Sequence, residues 1–583
     1  MTDVVWKIGG EAGYGIASIG LTFAKACARG GLHVFTDSGY PSRIRGGHNT
    51  FLARVSEKPV HAHSDRCDIL VALDAQTIEE NARELNPGGV LIYDGEKDGQ
   101  AAKKAGRTDI ELFSVPFIRI AKELGVDVLM KNTITLGASM ALLDYGADIV
   151  AEMIRKTYGR KGQAIVDANI RSLNAGFDYV KKNYRGKFSK KLRRVEGAPR
   201  RMVLDGNAAI SLAAVQAGCR FLAQYPMTPS SAILSNLASI ERKYNIVVKQ
   251  TEDELAAMNM AIGAGYAGVR ALTATSGGGF SLMAEALGLA GSAEVPVVIV
   301  EGQRPGPSTG MPTWTEQGDL RFVIHASQGE FPRIVLAPGD VEECYYKTIE
   351  AFNLAEKYQV PAIILTDKFL AENYQTCEFF KTGSDIRIER GKLLSDEQAA
   401  QLGNEVKRFE FTEDGVSPRP LPGQPGGVHM VAGDEHNEFG EIDESELNRT
   451  RMMDKRMKKM EGILRELEPP KVLGSRSASV TLVGWGSTKG IALEAIEMLK
   501  DEGIAANYIH FCNIWPFKAR EAKSLLSSAK NLVLLENNKT GQLGGLIREQ
   551  TGVEFRHRLL KYSGRQLFPS EVFHFVREVF EGG

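Results

Sequence analysis

A rhythm of short apolar run, glycine-bearing turn and helical stretch begins three separate times along this chain, and no other feature restricts its folding as much. Val4–Ile8 reads as a strand, followed by glycines and a helix at Ile16–Arg29; His33–Thr36, Ile69–Ala72 and Val90–Tyr93 read as further strands. Such alternation predicts a parallel sheet covered by helices. The rhythm restarts at Met202 and runs to about Tyr374. It returns at Lys471, with strands at Val480–Gly484, Ala506–Phe511 and Leu532–Glu536, a helix at Thr488–Glu502 and a closing helix at Pro569–Phe580. Between the first two stretches, RGKFSKKLRRVEGAPRR is basic and almost free of aliphatic side chains, as a linker is. Residues 378–470 are polar, rich in Gly and Pro around Ser417–Gly427 and charged around Arg449–Lys459. They read as an extended crossover with one helix near Glu444–Glu468. At 583 residues the chain exceeds what one hydrophobic core can organise. The expected fold class is α/β, divided into a first domain at 1–185, a linker at 186–201, a second domain at 202–376, a crossover at 377–470 and a third domain at 471–583.

Charge excludes some partners. With 71 basic and 72 acidic residues the formal charge is -1, which gives no electrostatic case for nucleic acid or an anionic membrane. No apolar run reaches the ~18 residues of a spanning helix. The opening MTDVVWKIGGEAGYG leads straight into a strand, so a cytoplasmic location is expected. The six cysteines, Cys27, Cys67, Cys219, Cys344, Cys377 and Cys512, include no C-x-x-C pair, so no metal cluster is expected on this chain.

Two motifs in the first domain keep two readings each. KIGGEAGYGIAS puts Gly9, Gly10, Gly13 and Gly15 between strand and helix, either as a tight turn or as a backbone approach to an anion. Its spacing departs from the dinucleotide fingerprint. DSGYPSRIRGGHNTF places Arg43, Arg45 and His48 around a glycine pair, either a basic loop facing an acidic ligand or a solvated loop.

The second domain concentrates polar groups at strand ends. In FLAQYPMTPSSAILSNL, Thr228 is the expected N-cap and Pro229 the first residue of a helix pointing out of the sheet's carboxyl edge, where open α/β sheets bind ligands. VVKQTEDELAAMN ends a strand in Glu252, Asp253 and Glu254; three carboxylates there also complement a helix dipole. RALTATSGGGFSLM ends in Ser276 and three glycines, and VVIVEGQRPGPSTG in Arg304. Four successive strand ends thus carry Thr228, Glu252, Ser276 and Arg304. One such coincidence is cheap, but four on one edge describe a site.

Taken together, YPMTPSS, TEDELAAMN, ATSGGGFSLM, GQRPGPSTGMPTWTEQGD and DGVSPRPLPGQPGG resemble the alpha subunit of 2-oxoacid:ferredoxin oxidoreductases. GGEAGYGI and IRGGHN resemble the gamma unit fused in front of many such subunits, and GWGSTKG and ENNKTGQLGGLIR a transketolase-C-like domain. The resemblance implies three α/β domains: a gamma-type Rossmann-like domain, a thiamine-diphosphate pyrimidine-binding domain and a transketolase-C-like domain. It implies oxidative decarboxylation of a 2-oxoacid with coenzyme A, or the reductive reverse, with electrons passing to ferredoxin. Glu252 would hydrogen-bond the aminopyrimidine of thiamine diphosphate, with Tyr225 and Pro226 also at the cofactor. Thr228, Ser276 and Arg304 would bind substrate, and Arg43 or Arg45 would supply a charge for a distal carboxylate. The motif by which thiamine enzymes hold a metal and the diphosphate, GDG with asparagines beyond it, does not occur here. Mg2+ and a [4Fe-4S] cluster are therefore expected on a beta subunit, in an (alpha-beta)2 heterotetramer. The crossover and the gamma–alpha order resemble the 2-oxoglutarate branch most; pyruvate or branched-chain oxoacids are the alternative substrates. A noncatalytic nucleotide-binding or scaffold subunit is the alternative of another class.

Overall fold

The structure, a computed structural model, describes residues 3–42, 46–403 and 405–581. They form two compact units, one of residues 1–204, 373–379 and 568–571 and the other of the remainder.

The first unit is built on an eight-stranded sheet ordered Glu111–Ser114, Leu85–Tyr93, Cys67–Ala72, Asp3–Glu11, His48–Ser56, His33–Gly39, Gln375–Cys377 and Met202–Leu204. Trp6 stacks on Phe23 at 4.5 Å, and its indole N–H donates to Ser139 Oγ at 3.0 Å, so the ring is buried with its polar atom satisfied. The helices Lys131–Leu142 and Gln163–Asn183 meet through glycines: a Cβ on Gly137 would lie 1.9 Å from the Leu173 carbonyl oxygen. The expectation of a parallel sheet needs correction. His48–Ser56 is a strand, antiparallel both to Asp3–Glu11 and to His33–Gly39. The glycine pair before it disguised the strand as loop, although TFLARV has the composition of a strand. His48 therefore opens a strand and contacts Asn81 Oδ1 through Nε2 at 2.9 Å. Arg43 and Arg45 lie outside the described residues.

The second unit holds two sheets. The seven-stranded one runs Asn513–Trp515, Ile334–Leu336, Pro361–Asp367, Val297–Gln303, Ala271–Thr275, Phe221–Gln224, Val247–Gln250, parallel but for the first pair. The five-stranded one runs Lys471–Gly474, Ala506–Phe511, Val480–Trp485, Leu532–Glu536, His557–Leu560, with Lys471–Gly474 antiparallel. Asn513–Trp515, which follows a strand of the small sheet, pairs with Ile334–Leu336 at the edge of the large one. The helix Gly277–Ser292 buries Phe280, Met283 and Leu287 against the large sheet. Each such side chain contributes about 1.5–3 kcal/mol.

The crossover is pinned by charge. Its helix, Glu446–Glu466, sends Lys455 and Lys459 to the two oxygens of the buried Glu294, just beyond the Gly277–Ser292 helix. Arg408 adds a bond to the Glu294 carbonyl at 2.8 Å. Arg419, in the DGVSPRPLPG segment, pairs at 2.7 Å with the buried Glu356, which also receives Arg270 at 2.8 Å.

Candidate active site

The parallel strands of the large sheet deliver their polar ends to one edge. Between the ends of Ala271–Thr275 and Val297–Gln303 opens a cavity of about 460 Å³, lined among others by Met227, Gly277, Gly278, Arg304, Asp319 and Phe322.

Glu252 lies on an exposed bend outside this wall. The reason is local. Asp253 caps the helix, its carboxylate accepting from Ala256 N at 2.7 Å, so Glu254 becomes the first helical residue and turns inward. Glu254 is 2% exposed, and Thr275 Oγ1 approaches its Oε1 at 3.4 Å. Burial raises the proton affinity of its carboxyl. A Cβ on Gly279 would come within 2.3 Å of that oxygen and 2.1 Å of Thr275 Oγ1. The third glycine of SGGG therefore lets a carboxyl press against the first turn of a helix.

The segment around Thr228 also departs from expectation. The Thr228–Pro229 peptide is cis and the helix starts at Ser231, with Ser230 at its cap position. Ser230 Oγ donates to the Thr275 carbonyl at 2.7 Å, in space that Gly302 leaves open. Thr228 is half-buried, and its carbonyl accepts from Arg304 Nη1 at 2.8 Å. Arg304 thereby ties two strand ends together on the cavity wall, facing Glu301, Asp319 and Glu254. Ser276 is wholly buried, and its hydroxyl has no hydrogen-bond partner among the described residues. Tyr225 and Pro226 are exposed. The structure thus brings Arg304, Thr228 and Ser276 to one place and puts Glu254 there instead of Glu252.

Sequence reading missed Asp319 and the bracket that holds it. Asp319 lies beside Gly277, whose Cβ would stand 2.5 Å from Oδ2. Two residues earlier, Gln317 is locked to the small sheet. Its amide N–H donates to the Asn537 carbonyl at 2.7 Å, and its side chain donates to Trp485 O at 3.0 Å and accepts from Asn537 N at 3.0 Å. Asn538 Nδ2 closes the set on Gln317 O at 3.0 Å. Buried Glu536 steadies Asn538 at 2.8 Å and accepts from the Trp485 indole at 3.1 Å. The ENNKTGQLGG and GWGSTKG motifs therefore serve as the anchor for the loop that forms the cavity wall.

With that geometry in place, three known families match the chain: "Pyruvate ferredoxin/flavodoxin oxidoreductase" over residues 5–179, its thiamine-diphosphate-binding "Pyruvate flavodoxin/ferredoxin oxidoreductase, thiamine diP-bdg" over 212–455, and "Transketolase, C-terminal domain" over 472–576. The 2-oxoacid:ferredoxin oxidoreductase subunit alpha of Saccharolobus solfataricus is 35% identical, over 100% of this chain and 98% of that protein. This chain belongs to the 2-oxoacid:ferredoxin oxidoreductase family, as an alpha subunit. The alpha subunit is also 28% identical to the 2-oxoglutarate oxidoreductase subunit KorA of Mycobacterium tuberculosis, over 100% of this chain and 92% of that one. Among solved structures it is similar to the 2-oxoglutarate:ferredoxin oxidoreductase of Magnetococcus marinus with 2-oxoglutarate, coenzyme A and succinyl-CoA bound. The TM-score is 0.92, at 32% identity, covering 99% of each chain. No helix among the alpha subunit's described residues is long and apolar enough to cross a membrane.

Proposed function

We propose that this alpha subunit takes part in the oxidative decarboxylation of 2-oxoglutarate with coenzyme A, or its reductive reverse, with ferredoxin as electron partner. One observation carries the reading: a buried carboxyl of raised proton affinity, Glu254, sits under a glycine helix start beside a cavity walled by Arg304. The names of the relatives support the substrate.

Thiamine diphosphate, when bound, supplies the carbanion-stabilising chemistry. The buried Glu254 carboxyl, the Ser276 hydroxyl that is unpaired among the described residues, and the glycine floor fit a nitrogen heterocycle. Glu254, rather than Glu252, holds a proton at its carboxyl for a ring nitrogen. Positioned acid–base groups of this kind contribute about 10²–10⁴ in rate. Arg304 offers a planar fork of donors to the substrate carboxylate, its orientation fixed by the Thr228 carbonyl. Phe322 and the loop beginning at Gly306 line the same cavity. A beta subunit supplies the Mg2+ and diphosphate contacts and a [4Fe-4S] cluster, in an (alpha-beta)2 assembly within the cytoplasm. The test is to purify the complex, identify its second chain, and assay 2-oxoglutarate, pyruvate and branched-chain oxoacids with coenzyme A and a low-potential acceptor. A clear preference for 2-oxoglutarate is expected; a preference for either other class would displace that substrate, and no oxoacid-dependent reduction would end the reading.

A further inference from the structure

Asp319 does not stand alone on the cavity wall. Behind it, Glu301, in the strand Val297–Gln303, is wholly buried. Neither Glu301 oxygen has a hydrogen-bond partner among the described residues, and its carboxyl lies close enough to that of Asp319 for one shared proton to join them. Two neighbouring carboxyls, one of them wholly buried, resist ionising together, so one proton serves the pair. Burial, then Asp319, then Asp367 raise Glu301 well above the usual carboxylate range, and the proton resides there. Burial lifts Asp319 to about 6, while the bond from Glu301 and the Arg304 charge restrain it. The other ionisable groups around the pair are Arg304 on the loop, Glu254 on its helix, Asp367 on the neighbouring strand and Glu316 earlier in the Asp319 loop. Near neutral pH the wall that must receive an anion therefore carries a carboxylate of its own beside Arg304.

We propose that the Glu301–Asp319 pair couples oxoacid binding to proton uptake: as the anion enters, Asp319 takes one proton from solvent, the wall becomes neutral, and Arg304 is left to the substrate carboxylate. No substrate bond changes in this step; a proton moves from water to Asp319 Oδ, and it returns when the anion leaves or loses its charge as CO2. The inference rests on the oxoacid reading of the cavity.

Calorimetry on the purified complex tests it without turnover. The probe is the monomethyl ester of succinylphosphonate, a 2-oxoglutarate analogue that cannot lose CO2 and carries no group titrating near neutrality. Titrations at pH 7 in PIPES and in Tris, which differ in ionisation heat, give the protons exchanged. The expected result is uptake of roughly 0.5–0.9 proton per site, falling to about half a proton or less as the pH is lowered to 6, where Asp319 is already partly protonated. Asp319→Asn should abolish the uptake while the analogue still binds. Heats independent of buffer in the unaltered complex would overturn the inference and leave the oxoacid reading intact. Undiminished uptake in Asp319→Asn would overturn it too. An analogue that does not bind at all would remove the oxoacid reading, and the inference with it.

Discussion

Glu254 and Glu252 are two residues apart and have opposite fates. Because Asp253 spends its carboxylate on the helix cap, only Glu254 enters the helix and meets Thr275 and Gly279. Glu254→Gln should cut oxoacid decarboxylation by about 10²–10⁴ with assembly intact, measured as oxoacid-dependent reduction of a low-potential dye by the complex. Glu252→Gln should leave turnover within about 2-fold, as surface substitutions do; an inverted outcome would return the role to Glu252. Arg304→Met should depress kcat/KM for every 2-oxoacid alike, since all share the 1-carboxylate. The sequence brought both glutamates into view but not the choice between them, because helix starts read from sequence carry an error of a residue or two. Arg304 was legible from its place at a strand end. Asp319 was not, since its burial depends on a loop held by residues more than two hundred positions later.

Among the elements, the crossover helix Glu446–Glu466 is the clearest case of a charged segment turned inward. Its lysines were legible as a charge run, which usually means a solvated face; here Lys455 and Lys459 are buried on Glu294. Burial alone would raise the Glu294 carboxyl, but Lys455 and Lys459 hold it below the usual range. A carboxyl whose folded-state pKa is depressed lends stability that is present above its unfolded value and lost as pH falls, so acid should loosen this strap. Glu294→Gln leaves two buried ammonium groups without a counter-charge and should cost about 3–5 kcal/mol, read by denaturant unfolding at neutral pH. A second clasp joins the Val341–Tyr358 helix to the small sheet. Glu343 receives Lys489 at 2.7 Å and contacts His510 at 2.9 Å, and Lys489 also reaches Asp340. Cys512 brings its sulfur close to Glu343 and His510, but Lys489 already neutralises that carboxylate. Strand–helix order in the second and third domains followed directly from apolar runs and glycines. The antiparallel His48–Ser56 strand did not, because the basic stretch and glycine pair in front of it read as a loop.

At the scale of the whole chain, three matched segments cover separate stretches, and family membership now joins them. With the diphosphate-holding motif missing from the sequence, the chain produced alone should show no oxoacid-dependent dye reduction. Co-produced with its partner it should yield a brown complex that does. Activity from the isolated chain would contradict a shared site.

Gln317, Asn537 and Asn538 make the C-terminal region a structural guarantor of the pocket rim. Domain shuffling between relatives would therefore have to respect a hidden unit: a graft beginning at residue 471 carries the asparagines but leaves their glutamine partner in the host. Chimeras that transplant the 304–319 loop together with the C-terminal region should keep substrate affinity, and those that move either piece alone should lose it.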